Sequence, residues 1–251
     1  MMHVIDWLLL KDKTIQRLTK IKLLNEAIPY DDTGLITRYL SYYDKDLKRF
    51  SGFYTPKWTS SHYVLLELVD LGIDPKHDVF LEALIELKNH LWFNLGQVNR
   101  YRHQDLCVVS MLLKMCAYAS VNDEDIYEMI DYILSHQMRD GGYNCQWETK
   151  ETEKSSLHTT LSTLEAFQMY LNQGYTYRKE EIQIQMKAAE ETLLKRDLYK
   201  SHQTGESISH EFLEPHYPAR WKYDVLRALY YFATSSHPYD ARMDDALNHL
   251  L

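Results

Sequence analysis

The sequence predicts an all-α fold in which inner and outer helices alternate, an α/α toroid or solenoid, with a short N-terminal helical segment ahead of it. Three observations predict this. Eight glycines and six prolines are few for 251 residues, so little interrupts a helix. Apolar residues recur at spacings of three and four rather than two, the period of a helix face. Helices that are apolar nearly all round are each followed by helices with a clean polar face. The first kind must be buried on several sides, and the second has an outside.

The elements follow in chain order. Residues 1–50 hold short amphipathic helices, visible in Ile15, Leu18, Ile21 and Leu24 and again in Leu35, Tyr39 and Leu40, which are expected to pack on the toroid formed by residues 51–251. After the Ser51-Gly52 turn, Thr59 or Ser60 can cap an apolar helix that ends at Gly72, and Asp74-Pro75 opens an amphipathic one. Asp105 opens the next apolar helix, and its amphipathic successor ends near Met138 at the turn Asp140-Gly141-Gly142, where two glycines supply the positive φ of a helix end. An apolar helix then begins near Ser155, a charged one spans Arg178 to Arg196, and Asp224 opens the last apolar helix before a final amphipathic one. The inner starts at His62, Asp105, His158 and Asp224 are unevenly spaced, which reads as decayed repeats. The polar stretch from Tyr199 to Tyr217 lacks helical periodicity and reads as a solvated loop or as a lid over the cavity mouth.

Composition narrows the function classes. With 45% hydrophobic and 25% charged residues the chain has an ordinary soluble composition. A net charge of -8, scattered over helix faces, supplies no basic footprint, so no nucleic-acid partner is expected. The opening MMHVIDWLLLKDK is broken by Asp6 and has neither the basic start nor the cleavage site of a signal peptide, and no stretch reads as a transmembrane segment. Three cysteines, an odd number without an export signal, read as reduced thiols of a cytoplasmic protein.

The segment Gln137-Met138-Arg139-Asp140-Gly141-Gly142-Tyr143 resembles the recurring Q-x-x-D-G-G-aromatic element of the α/α toroids of protein prenyltransferase β subunits and squalene cyclases. In architecture the resemblance covers roughly Phe50 to Leu251. Asp105-Leu106-Cys107 and His158-Thr159-Thr160, each opening an inner helix, look like the zinc-binding aspartate, cysteine and histidine of the prenyltransferase β subunits. The resemblance therefore implies zinc on Asp105, Cys107 and His158. Carboxylate, thiolate and imidazole are zinc donors, and three protein ligands leave an open position for water or a substrate thiol. Asp105 must then lie at the N-cap, because residues two apart on a regular helix point to different sides. Cys145, three residues past the Gly-Gly turn, can complete or replace a ligand, which would make the site closed and structural. The plainer reading makes Asp105 a cap, Cys107 a core residue and His158 a hydrogen-bonding partner of a neighbouring loop.

Further polar and aromatic groups collect at inner-helix starts. Arg102, His103, Trp147, Arg220, Trp221 and Lys222 are candidates for lining the rim and binding a ligand, with Trp58 beside them, and His62, Asp224 and Glu165 are candidates for acid–base chemistry. Glu165 lies two turns from His158 on one stripe of a nearly apolar helix, so it needs either a partner or a raised pKa. The alternative for the others is caps, ion pairs such as Asp224 with Arg227, and packing aromatics. The D-x-D-D motif of squalene cyclases and the magnesium motifs of diphosphate-ionising terpene synthases are absent, which disfavours those two chemistries. Three readings stand. One is a prenyltransferase- or terpenoid-cyclase-like enzyme in which zinc activates a thiol or water against an apolar, isoprenoid-like ligand in the toroid cavity. The second is a non-catalytic isoprenoid-binding module, and the third a helical-repeat scaffold whose rim meets a protein partner.

Overall fold

A computed structural model describes residues 3–92, 104–147 and 152–251. The described residues form eleven α-helices and two short 3-10 turns; among them there is no sheet, only the isolated bridges Asp44–Arg49 and Lys200–Ser207. The all-α expectation therefore holds, and no described helix is long and apolar enough to cross a membrane. The chain divides into two compact units, Met1–Phe93 and Asn94–Leu251.

The first unit carries α1 (Val4–Leu8), α2 (Lys13–Leu24), α3 (Leu35–Leu40), α4 (Ser61–Asp70) and α5 (Asp78–Leu91). Nine of the ten residues of α4 are buried, whereas α5 buries Phe80, Ala83, Leu84 and Leu87 on one face. The early helices are tied to α4 directly. Tyr39 of α3 donates to the Glu67 carboxylate, and the Arg17 guanidinium of α2 reaches the Leu71 and Gly72 carbonyls at the end of α4. These bonds tie α2 and α3 to α4 within the first unit. Asp74-Pro75 forms a turn, with the Asp74 carboxylate accepting from Lys76 N–H at 2.8 Å and its carbonyl from His77 N–H at 3.0 Å, and α5 starts at Asp78.

The second unit carries α6 (Leu106–Tyr118), α7 (Glu124–Ser135), α8 (Leu157–Asn172), α9 (Lys179–Leu194), α10 (Val225–Thr234) and α11 (Asp244–Leu250). Burial alternates as the charge pattern predicts. Ten of 13 residues are buried in α6 and ten of 16 in α8, against six of 12 in α7 and six of 16 in α9. Each fully buried Leu, Met or Phe contributes about 1.5–3 kcal/mol, so α6 and α8, which pack on each other, are the centre of this unit. They run parallel. Cys145 touches both Cys107 and Thr159 near the two starts, the Ser110 and Thr163 hydroxyls meet at 2.9 Å one turn on, and Lys114 meets Glu165 at 3.3 Å beyond them. The start of α10 joins the same end through Tyr223 and His158, and Arg227 of α10 reaches Ser162 and Glu165 of α8. Thus α6, α8 and α10 run parallel, with α7 packed on α6 and α9 on α8; α10 buries four of its ten residues, Val225, Ala228, Tyr231 and Phe232, and is amphipathic where the sequence predicts an apolar helix.

Candidate functional site

The turn between α7 and α8 builds the site. Gln137 Nε2 donates to the carbonyls of Gly141 at 2.8 Å and Gln185 at 2.9 Å. Asp140 Oδ2 accepts from the amide and the hydroxyl of Ser155, each at 2.9 Å, and from Arg196 at 3.3 Å. Gly141 has φ +92°, and a Cβ there would stand 2.7 Å from the Ala188 carbonyl of α9. The Tyr143 amide donates to Thr160 Oγ1 at 3.0 Å and its hydroxyl to Gln185 Oε1 at 2.7 Å. Every fixed position of the Q-x-x-D-G-G-aromatic element thus clamps the chain between α8 and α9. Two residues later the clamp delivers Cys145 to the starts of α6 and α8.

There Cys145 Sγ accepts the Cys107 amide N–H at 3.1 Å and lies 3.3 Å from Thr159 Oγ1. The Cys107 thiol also hydrogen-bonds Cys145, and this bond is the largest cause holding the Cys145 thiol below its ordinary pKa, with Thr159 and the Cys107 amide adding to it. The same bond, followed by burial, pushes the Cys107 thiol up. The two thiols are thus driven in opposite directions, Cys107 upward and Cys145 downward. Asp105 is the N-cap of α6 as expected, with an exposed side chain, and its charge raises both thiols.

His158 turns to the other side of its helix start. Its Nδ1 accepts the Tyr223 N–H at 2.7 Å, and its ring meets Trp221, Phe212 and Tyr223 at centroid distances of 5.2, 5.4 and 6.3 Å. Burial, and then the Arg227 charge, lower its pKa. A neutral ring that accepts at Nδ1 carries its proton on Nε2, so neither nitrogen presents a lone pair to the thiols. Among the described residues no three His, Cys, Asp or Glu side chains stand together as a set that could hold a metal ion. The structure thus brings Cys107 and Cys145 together, leaves the exposed Asp105 without a side-chain cap bond and turns His158 to the Tyr223 amide.

Glu165 has partners. Arg227 Nε lies 2.7 Å from Oε1, and Arg227 and Lys114 lie 3.0 and 3.3 Å from Oε2. Burial pulls this carboxyl upward, but the two cations and their hydrogen bonds outweigh it and hold the pKa at about 2. Glu165 is a permanent anion, and of the two sequence alternatives the partnered one applies. Asp224 is buried as the N-cap of α10, accepting the Arg227 amide at 2.8 Å, and its second oxygen lies 3.2 Å from His216 Nδ1; the Arg227 side chain pairs with Glu165 instead. The carbonyl of Lys222 accepts from Arg227, Arg220 adopts a positive φ of 54°, and Trp147 packs on His136 with ring centroids 3.9 Å apart. Trp58 and His62 lie in the first unit, where His62 is wholly buried between Tyr54 and Tyr63 and neither ring nitrogen has a partner among the described residues. Arg102 and His103 lie outside the described residues.

The residues that sequence reasoning left unassigned are Lys114, Thr159 and Phe212. Lys114 carried a signal, as the lone cation inside an apolar helix, seven residues beyond Cys107. Cys107, Lys114 and Tyr118 are the residues of α6 that escape burial, and His158, Glu165 and Met169 repeat that spacing on α8. Residues seven and eleven apart share one helix face, so Cys107, Lys114 and Tyr118 form one accessible stripe on α6, whereas α8 leaves Gln168, Leu171 and Asn172 unburied as well. Leu226 and Tyr230 are exposed on α10. In the first unit an open depression of about 590 Å³ is lined by Asp12, Lys13, Thr33, Gly34, Thr37, Arg38 and Ser41, none of them a sequence-predicted site residue. Comparison with protein-family models, with curated proteins and with solved structures finds no match to this chain.

Proposed function

We propose that the second unit is part of an α/α toroid of prenyltransferase or terpenoid-cyclase character, and that the accessible stripe along α6, α8 and α10 binds an apolar, isoprenoid-like ligand. The supporting observation is that α6, whose accessible residues Cys107, Lys114 and Tyr118 form one stripe with the thiol pair at its start, runs parallel to α8, where His158, Glu165 and Met169 repeat that spacing. Tyr118, Met169, Leu226 and Tyr230 offer the apolar surface. Lys114 and Arg227 bring two cations to Glu165 in the middle of the stripe. Such a pair of cations suits an anionic head such as a diphosphate. The polar groups thus lie in mid-stripe as well as at the mouth, where the sequence alone placed them.

The thiol pair is the reactive group of this reading. Zinc in this reading rests on Cys107 and Cys145 alone, since His158 Nδ1 holds the Tyr223 N–H and no third donor stands with the two thiols among the described residues. Zinc on the two thiolates would supply a Lewis acid that activates a thiol or water. The test is thermal denaturation of the full chain with farnesyl diphosphate and with farnesol, alongside elemental analysis of protein purified without chelator. Both ligands are expected to raise Tm. Lys114→Met is expected to weaken the diphosphate by about tenfold, the scale of one charge-assisted contact, and to leave farnesol unchanged. No shift with either ligand, or a Lys114→Met variant that binds the diphosphate as the parent does, contradicts the proposal. Near-stoichiometric zinc that is lost in Cys107→Ser and Cys145→Ser is the expected metal result.

A further inference from the structure

We propose that Cys107 and Cys145 form a reversible intramolecular disulfide, in which Cys145 meets the oxidant and Cys107 resolves the product. The geometry comes first. The Cys107 amide nitrogen lies 3.1 Å from Cys145 Sγ, so the Cys107 Cα is at most about 4.6 Å from that sulfur, one N–Cα bond further. The Cys107 thiol already hydrogen-bonds the same sulfur. That separation lies within the reach of a disulfide without unwinding α6. The two thiols are also partly accessible, whereas the third cysteine, Cys116, is wholly buried in α6.

The chemistry assigns the two roles. The Cys107 amide N–H donates to Cys145 Sγ and the Thr159 hydroxyl lies 3.3 Å from it, so the Cys145 sulfur is assigned to the oxidant and the Cys107 sulfur to the resolving step. With a peroxide as oxidant, Cys145 sulfur attacks one peroxide oxygen. An S–O bond forms, the O–O bond breaks, and hydroxide or alkoxide leaves with the electron pair. Cys107, giving up its proton, then attacks the Cys145 sulfenic sulfur; the S–S bond forms, the S–O bond breaks, and water departs. Two thiols and hydrogen peroxide yield one disulfide and two waters. A dithiol such as dithiothreitol reverses the step by exchange. The disulfide removes both donors from the mouth of the stripe, and its formation does not depend on which ligand the stripe binds.

The test treats the full chain with one equivalent of hydrogen peroxide and counts thiols after denaturation. Two of the three thiols are expected to disappear, the intact mass to fall by two hydrogens, and a proteolytic peptide holding Cys107 to be joined to one holding Cys145, all restored by dithiothreitol. In Cys107→Ser, peroxide is expected to leave a sulfenic acid on Cys145 that dimedone traps; in Cys145→Ser, no such adduct forms on Cys107. Three free thiols after treatment of the parent protein overturn the proposal, as does a linkage through Cys116 or a dimedone adduct on Cys107 in preference to Cys145. Should a serine variant fail to fold, the thiol count and peptide linkage of the parent chain decide alone. This readout is separate from isoprenoid binding, so either proposal can fail without the other.

Discussion

Glu165 sits in a mostly apolar helix, where loss of water opposes its charge, yet Arg227 and Lys114 keep it ionised with a pKa of about 2 against an ordinary 4.5. A folded-state pKa below the unfolded one means that the stabilisation is complete above about pH 4.5 and is lost as the pH falls from there toward 2. Glu165→Ala leaves two partly enclosed cations without their anion, and we expect a loss of about 3 kcal/mol in urea unfolding at pH 7. A variant as stable as the parent contradicts the account. His62 acts in a different window. Burial depresses it from 6.5 to about 3, so the neutral ring is favoured in the folded state. The unfolded chain therefore takes up a proton that the folded one does not, and stability that is full above about pH 6.5 drains away as the pH falls toward 3. His62→Phe should remove most of the loss of stability between pH 7 and pH 4.5; equal losses in both proteins would show that His62 does not titrate as described. The need of Glu165 for a partner was legible in the sequence. Its partners were not, because Lys114 and Arg227 lie 51 and 62 residues away along the chain, and the Tyr223 amide that engages His158 is 65 residues away.

The elements were the most legible level. Asp105, Ser156 and Asp224 are N-caps where the sequence put helix starts, and α4 ends just before Gly72, because caps and glycines act locally. The Tyr199–Tyr217 stretch was less so. It holds the Lys200–Ser207 bridge and the 3-10 turn His210–Leu213, which seats Phe212 against His158 and Tyr223. One buried phenylalanine in a polar run leaves no periodicity to read. The Gly-Gly turn gives the sharpest test at this scale. A Cβ on Gly142 would meet Ser155 Cβ at 2.5 Å and Thr160 Oγ1 at 2.7 Å, so the start of α8 must shift to admit it. Gly142→Ala is expected to cost about 1–3 kcal/mol and, by displacing the turn that carries Cys145, to make that thiol less reactive toward a thiol reagent. Unchanged stability and unchanged Cys145 reactivity would sink the view that the turn positions the thiol.

At the scale of the whole molecule, the helical periodicity carried the all-α class, and the alternation of apolar and amphipathic helices matches the greater burial of α6 and α8 than of α7 and α9. The ties of α2 and α3 to α4 did not show in the sequence, because the bonds Arg17 to Gly72 and Tyr39 to Glu67 each join positions far apart in the chain. The ligand surface proposed above lies on what α6, α8 and α10 leave uncovered, from Cys107 past Lys114 and Glu165 to Met169 and Tyr230. The most direct test is photolabelling of the full chain with a benzophenone-bearing isoprenoid diphosphate, followed by peptide mapping. Label in the peptides of Leu106–Tyr118, Leu157–Asn172 and Val225–Thr234, displaced by unlabelled farnesyl diphosphate, is the predicted result. Label confined to other helices, or label that farnesyl diphosphate does not displace, contradicts it.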